Sequence, residues 1–195
     1  MARFQVMTEL KVFVIVFISL ISNWTMGQRY ESQPYEVLQS MDDLEIRFYP
    51  PVMMAKTKAN TGNPFSTLFR YISGANQNNE KIEMTTPVYM YTEGDTSAME
   101  FVLPKKYMEQ DAPAPSGNNV RIYESKPGYF AAVRYGGYSN ALKVKIHTDR
   151  IMGEVQKHNL KAISNPVVLS YDSPYKVMNR RNEILVKINY TPAEH

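Results

Sequence analysis

The chain has 195 residues, of which 44% are hydrophobic and 21% charged, a balance that builds one globular domain of ordinary composition. Lys+Arg 22 against Asp+Glu 19 leaves a formal charge of +3, and the cations are scattered instead of forming runs, so nothing argues for nucleic acid. Cysteine is absent, which excludes disulfides, thiolate metal sites, Fe–S clusters, a Cys nucleophile and covalent C-x-x-C-H heme attachment.

In chain order, the first segment reads as an address. Arg3 and Lys11 precede an apolar run from Val12 to Ile21, followed by Ser22, Asn23 and a small-residue exit at Thr25-Met26-Gly27, the pattern of a secretory signal. The run is much shorter than the roughly 20 residues of a bilayer span; a short membrane anchor is the alternative. The expected division is a signal peptide over 1–27 and a single domain over 28–195, secreted, nearly neutral and monomeric.

From Tyr35 onward short strands dominate. Leu44-Glu45-Ile46-Arg47-Phe48 alternates apolar and polar, and Val52 to Ala59 follows the Pro50-Pro51 break. Asn63 then Pro64 predicts an N-cap with proline at the first helical position; Phe65, Leu68, Phe69 and Ile72 follow at helical spacing, and Gly74 suits the residue beyond the C-cap. Strands are expected at Pro87 to Thr92 and Met99 to Leu103, joined through Gly94-Asp95. The run Ala112-Pro113-Ala114-Pro115-Ser116-Gly117-Asn118-Asn119 then marks a linker. Beyond it come strands at Val120 to Tyr123 and Tyr129 to Tyr135, a helix from about Ser139 to Asn159, and strands near Val167 to Ser170 and Glu183 to Ile188.

The second series repeats the first. One offset aligns Ile46, Pro51 and Ala55 with Ile122, Pro127 and Ala131; a slightly larger one aligns Pro87-Val88 with Pro166-Val167, and a third aligns Glu100 with Glu183. The reading is two β-β-α-β-β units, about 35–104 and 120–188, with a linker over about 105–119. On the longer helix Val144, Thr148, Ile151, Met152 and Val155 share one side and should pack on the sheet, with Lys143, Arg150, Glu154 and Lys157 opposite.

Five ordered strings carry a likeness: Tyr71-Ile72-Ser73-Gly74-Ala75-Asn76, Met84-Thr85-Thr86-Pro87-Val88, Pro113-Ala114-Pro115-Ser116, Tyr135-Gly136-Gly137-Tyr138 and Arg180-Arg181-Asn182-Glu183. With this order and spacing, from about Tyr35 to Ile188, the chain resembles the SOUL heme-binding protein family. The resemblance implies an α+β fold, a distorted eight-stranded antiparallel β-barrel with two flanking helices. It also implies non-covalent binding of heme or a related tetrapyrrole in a shallow apolar cleft beside the first helix. Carried over by position, Phe65 and Phe69 line the heme face, Arg70 matches a basic residue on that helix, and Lys176 matches the lysine after the Tyr-Asp-x-Pro stretch. Val177 stands where a proline often follows that lysine.

The residue types suit the ligand, since a flat apolar disc with two carboxylates needs aromatic walls and a few cations at the rim. The bland reading of Phe65 and Phe69 is a core pair, and that of Lys176 a loop lysine. His147 and His158 lie about 16 Å apart along the predicted helix and cannot share a metal; no axial ligand is nominated. No nucleophile elbow, zinc-hydrolase or nucleotide-loop motif is present, so carriage, buffering or sequestration is expected and not turnover. The alternatives are an enzyme using Glu100 or Glu183 as base in the same cleft, and a secreted matrix component without ligand; Glu83, Glu100 and Glu183 are expected to face solvent. Asn189-Tyr190-Thr191 is a glycosylation sequon followed by Pro192.

Overall fold

The computed structural model of the chain describes residues 30–59 and 62–192; the expected export signal lies outside them, as does His195. The elements run β1 (Glu31–Ser32), β2 (Glu36–Met41), β3 (Leu44–Tyr49), β4 (Met53–Ala59), α1 (Pro64–Ile72), β5 (Thr85–Thr86), β6 (Val88–Glu93), β7 (Thr96–Val102), a 3-10 turn (Lys105–Met108), β8 (Arg121–Glu124), β9 (Gly128–Gly136), α2 (Ala141–Lys157), β10 (Lys161–Ala162), β11 (Val167–Ser170) and β12 (Arg181–Asn189). No helix among the described residues is long and apolar enough to cross a membrane.

One curled antiparallel sheet forms a half-barrel in the order β2-β3-β9-β12-β11-β6-β7-β4-β8, with β10 on the end of β12 and a separate parallel pair β1-β5. The eight strands expected from the repeat are its β3-to-β8 stretch. β2 extends one edge, and the half-barrel with its two helices is the expected distorted α+β barrel. Exchanging each first-half strand for its second-half counterpart reproduces this order in reverse, which places a pseudo-twofold axis between β6 and β11. The register agrees: Ile46 lies opposite Ala131, and Ile122 lies opposite Ala55. Glu100 and Glu183 hold symmetric places about this axis in the row Glu100-Tyr89-Leu169-Glu183 but differ in their partners on the far side. Glu183 lies opposite Arg134, whereas Glu100 lies opposite Lys56, which the same offset equates with Ala132.

The two helices cover the outer sheet face. Leu68, Tyr71 and Ile72 of α1 pack on Ala55, Phe101 and Leu103, and Ile151 and Val155 of α2 pack on Ala131, Val133, Ile184 and Val186. Each aliphatic side chain so buried contributes roughly 1.5–3 kcal/mol. Met152, expected in that seam, is instead exposed; it lies at the edge of the stripe, beyond the reach of the sheet. The inner face is packed by Tyr49, Ala132, Leu169 and Leu185 on one side and Val52, Met54 and Val102 on the other.

Candidate functional site

The shorter helix is fixed at both ends. The Asn63 side chain accepts from the Phe65 N–H at 3.0 Å, with Pro64 at the first helical position. At the other end the Ala75 N–H donates to the Arg70 carbonyl at 2.9 Å and the Gly74 N–H to the Tyr71 carbonyl at 3.3 Å. That double closure needs a left-handed residue, and Gly74, at φ +113°, supplies it.

Held this way, α1 presents Phe65 and Phe69 one turn apart on one flank. Their rings stack at 5.8 Å, and Phe65 meets Phe101 edge-on at 5.4 Å. Phe65 is half-buried and, like Met84, Val88 and Met99, packs against the buried cluster beneath α1, while Phe69 leaves 49% of its surface exposed. The sequence-predicted pair is therefore brought together, with one ring anchoring and the other free to face a ligand.

Lys176 lies on another element, the loop between β11 and β12. Phe101 lies opposite Val88, Val88 opposite Ser170, and Ser170 opposite Asn182, so these residues form one row across the outer face. The β11–β12 loop leaves from Ser170 and exposes Tyr175, Val177 and Met178. On it the Lys176 ammonium donates to Asp172 at 2.6 Å, and the other Asp172 oxygen accepts from the Arg181 N–H at 2.6 Å. Burial alone raises the Asp172 carboxyl, but Lys176 and that N–H hold it below its ordinary value. Arg70 is not brought to the Phe69 flank. It lies round the helix, lining with Thr67, Tyr71, Pro115 and Val120 a separate open depression of about 260 Å³.

His147 stacks on Tyr135 at 4.4 Å, beneath α2 and not α1, and its Nδ1 is buried without a partner. Burial, with Lys143 nearby, lowers its pKa, which favours the neutral imidazole. Among the described residues no group of three or more His, Asp or Glu is placed to hold a metal ion.

The structure also corrects an expectation. Glu83 is exposed, but Glu100 and Glu183 are buried on the inner face. Glu183 accepts from Arg47 at 2.7 and 3.1 Å, from Arg181 at 3.0 and 2.8 Å and from the Tyr171 hydroxyl at 2.8 Å. Burial alone raises its pKa, yet Arg47 and Arg181 bring it below the ordinary glutamate value. Glu100 accepts from the hydroxyls of Tyr123, at 2.8 Å, and Tyr91, and pairs with Lys56 at 3.5 Å. The two carboxylates share one row of the ladder, separated by Tyr89 and Leu169. Charged residues within strand patterns read as solvent-facing; partners distant in sequence bury these two.

A family profile described as SOUL heme-binding protein matches residues 30–187. Heme-binding protein 2 of Homo sapiens is 26% identical over 168 residues, 77% of this chain and 81% of that protein. Heme-binding protein 1 of Bos taurus is 26% identical over 128 residues, 62% of this chain and 66% of that protein. Among solved structures, the EcmrR C-terminal domain superposes with a TM-score of 0.54 at 11% identity, covering 80% of this chain and 99% of that one. A hydrolase from Listeria innocua gives 0.50 at 8% identity, covering 77% and 94%. Identities this low bear on the fold alone.

Proposed function

The chain belongs to the SOUL heme-binding protein family, and from that premise we propose that it binds heme or a related tetrapyrrole reversibly along the Phe65–Phe69 flank of α1, as a carrier, buffer or sequestering protein. The observation that carries this reading is Phe69, a ring half in solvent and stacked on an anchored Phe65 in an apolar surround. Such a surface suits the face of a flat macrocycle.

The residues present fit the group. Phe69 supplies wall, Phe65 backs it from the apolar cluster beneath α1, and Lys176 is the cation proposed for a carboxylate; Arg70, in its separate depression, is not placed to serve the same ligand. Lys176 must exchange Asp172 for a carboxylate of the ligand, so its net contribution is small, about 0–1 kcal/mol for an exposed pair. When bound, the tetrapyrrole iron supplies its own ligand and redox chemistry; the chain supplies wall and rim.

Carriage is favoured over turnover because the inner-face carboxylates are committed. Glu183 is charge-paired on both oxygens and held ionised, and Glu100 accepts from two phenols, so neither is poised as a general base. Adding hemin to the protein is expected to give a saturable Soret shift and quenching of tyrosine fluorescence at micromolar concentration; no saturable change defeats the reading.

We also propose export, on the strength of the charged, apolar and small-residue order of 1–27. Edman sequencing of protein recovered from the medium is the test, with a start after Gly27 expected. Asn189, exposed at the end of β12, is then available to glycosylation.

A further inference from the structure

A second cavity lies away from α1. It holds about 200 Å³ beneath the N-terminal segment and is lined by neither Phe65 nor Phe69, sharing Leu103 with the core beneath α1. Its walls are apolar: Pro34, Pro50, Pro51, Val52, Val102 and Met108.

Most of the polar groups around it are committed to one another, with the exposed Lys105 side chain at its edge. The Thr85 hydroxyl donates to the Val102 carbonyl at 2.5 Å, the Tyr89 hydroxyl donates to Gln33 Oε1 at 2.5 Å, and the Glu31 carboxylate accepts from the Lys105 N–H at 2.8 Å. Ser32 Oγ and Thr86 Oγ1 share a hydrogen bond of 2.7 Å, and the Gln33 N–H donates to the Thr86 carbonyl at 2.8 Å. All but the first of these bonds hold residues 31–33 down as a strap along the cavity. The strap's strand pairing is the two-position parallel ladder with β5, Glu31 with Thr85 and Ser32 with Thr86, so it belongs to the part of the fold that opens at low cost.

Size and chemistry narrow the occupant. Drug-sized ligands need roughly 300–1,000 Å³, which excludes a tetrapyrrole, whereas a dry apolar cavity of about 150 Å³ accepts benzene. With the rim's hydrogen bonds spent internally, a polar occupant would lose its hydration without replacement. Proline rings and the Met108 thioether offer C–H and sulfur contacts to a flat ring. We propose that this cavity is a binding site, independent of the heme flank, for a small neutral aromatic molecule of one or two rings, admitted by opening of the 31–33 strap.

The test uses the full chain with methyl-labelled methionine, and toluene and indole as probes. The expected result is a saturable shift of the Met108 methyl signal with a rise in melting temperature, neither displaced by hemin. Met108→Trp, at an exposed position on the 3-10 turn, should fill the mouth and abolish the probe-induced rise while leaving the hemin titration unchanged. If that variant does not fold, Met108→Phe should weaken probe binding at least tenfold. An immobile Met108 methyl, a shift that never saturates, displacement by hemin or unaltered probe binding in the filled variants each overturns the proposal.

Discussion

Arg47→Met is expected to lower folding stability by roughly 3–5 kcal/mol, the largest loss foreseen for a single substitution here. Arg47 is 3% exposed and Glu183 0%, so removing the guanidinium leaves a fully desolvated carboxylate with Arg181 as its remaining cation. Arg47 on β3 and Glu183 on β12 flank β9, and the small Ala132, between Phe130 and Arg134 on the intervening strand, leaves space for the guanidinium to cross. The double change Arg47→Met, Glu183→Gln should recover much of the loss, because it is the unpaired charge and not the missing pair that costs most. The pH dependence follows. The folded-state pKa of Glu183 is depressed, so the stability it contributes is complete above the unfolded glutamate value and is lost as pH falls through the folded one. Urea denaturation at neutral and acid pH is the measurement: Glu183→Gln should flatten the acid limb, and a cost below about 1 kcal/mol for Arg47→Met would refute the assignment.

The second large effect concerns ligand binding. Phe69→Asp should weaken hemin binding at least tenfold, the equivalent of about 1.4 kcal/mol, because it removes an exposed aromatic wall and sets a carboxylate against a ligand that carries two. Arg70→Ala should change affinity by no more than about fivefold, the ceiling for an exposed ion pair. Phe65→Asp weakens binding too, but Phe65 packs on Phe101, so its effect includes lost stability; Phe69 reads the cleft cleanly. Fluorescence titration of each variant supplies the ranking. A larger loss with Arg70→Ala than with Phe69→Asp contradicts the claim that walls outweigh charges.

Much of this architecture is legible in the sequence, for identifiable reasons. β3, β4 and α1 follow from alternation in Leu44–Tyr49, from the Pro50-Pro51 break, and from Asn63-Pro64 ahead of a helical apolar stripe. Ile46 and Ile122, like Ala55 and Ala131, hold matching ladder positions, which is why one offset aligns them in the sequence. β2 escaped notice because its exposed edge position imposes no alternation, and β1, β5 and β10, at two residues each, are too short to show a period. At the site, helical spacing foretells that Phe65 and Phe69 share a flank. It does not foretell that Phe69 stays open, which depends on what the sheet leaves uncovered, nor that Lys176 is already engaged by Asp172. The buried ionic cluster is the least legible part, since Arg47 and Glu183 meet across 136 positions of chain and only the tertiary fold reveals the partnership.

β3 comes from the first half but completes the ladder of the second through β9, and β8 does the reverse through β4. The halves thus clasp one another like interlocked hands, with the β6–β11 seam between them. A protease nick within 105–119 should therefore leave a two-piece particle that survives dilution and keeps its shape. Either fragment made alone would bare raw strand edges and clump, whereas co-producing both should reassemble the whole.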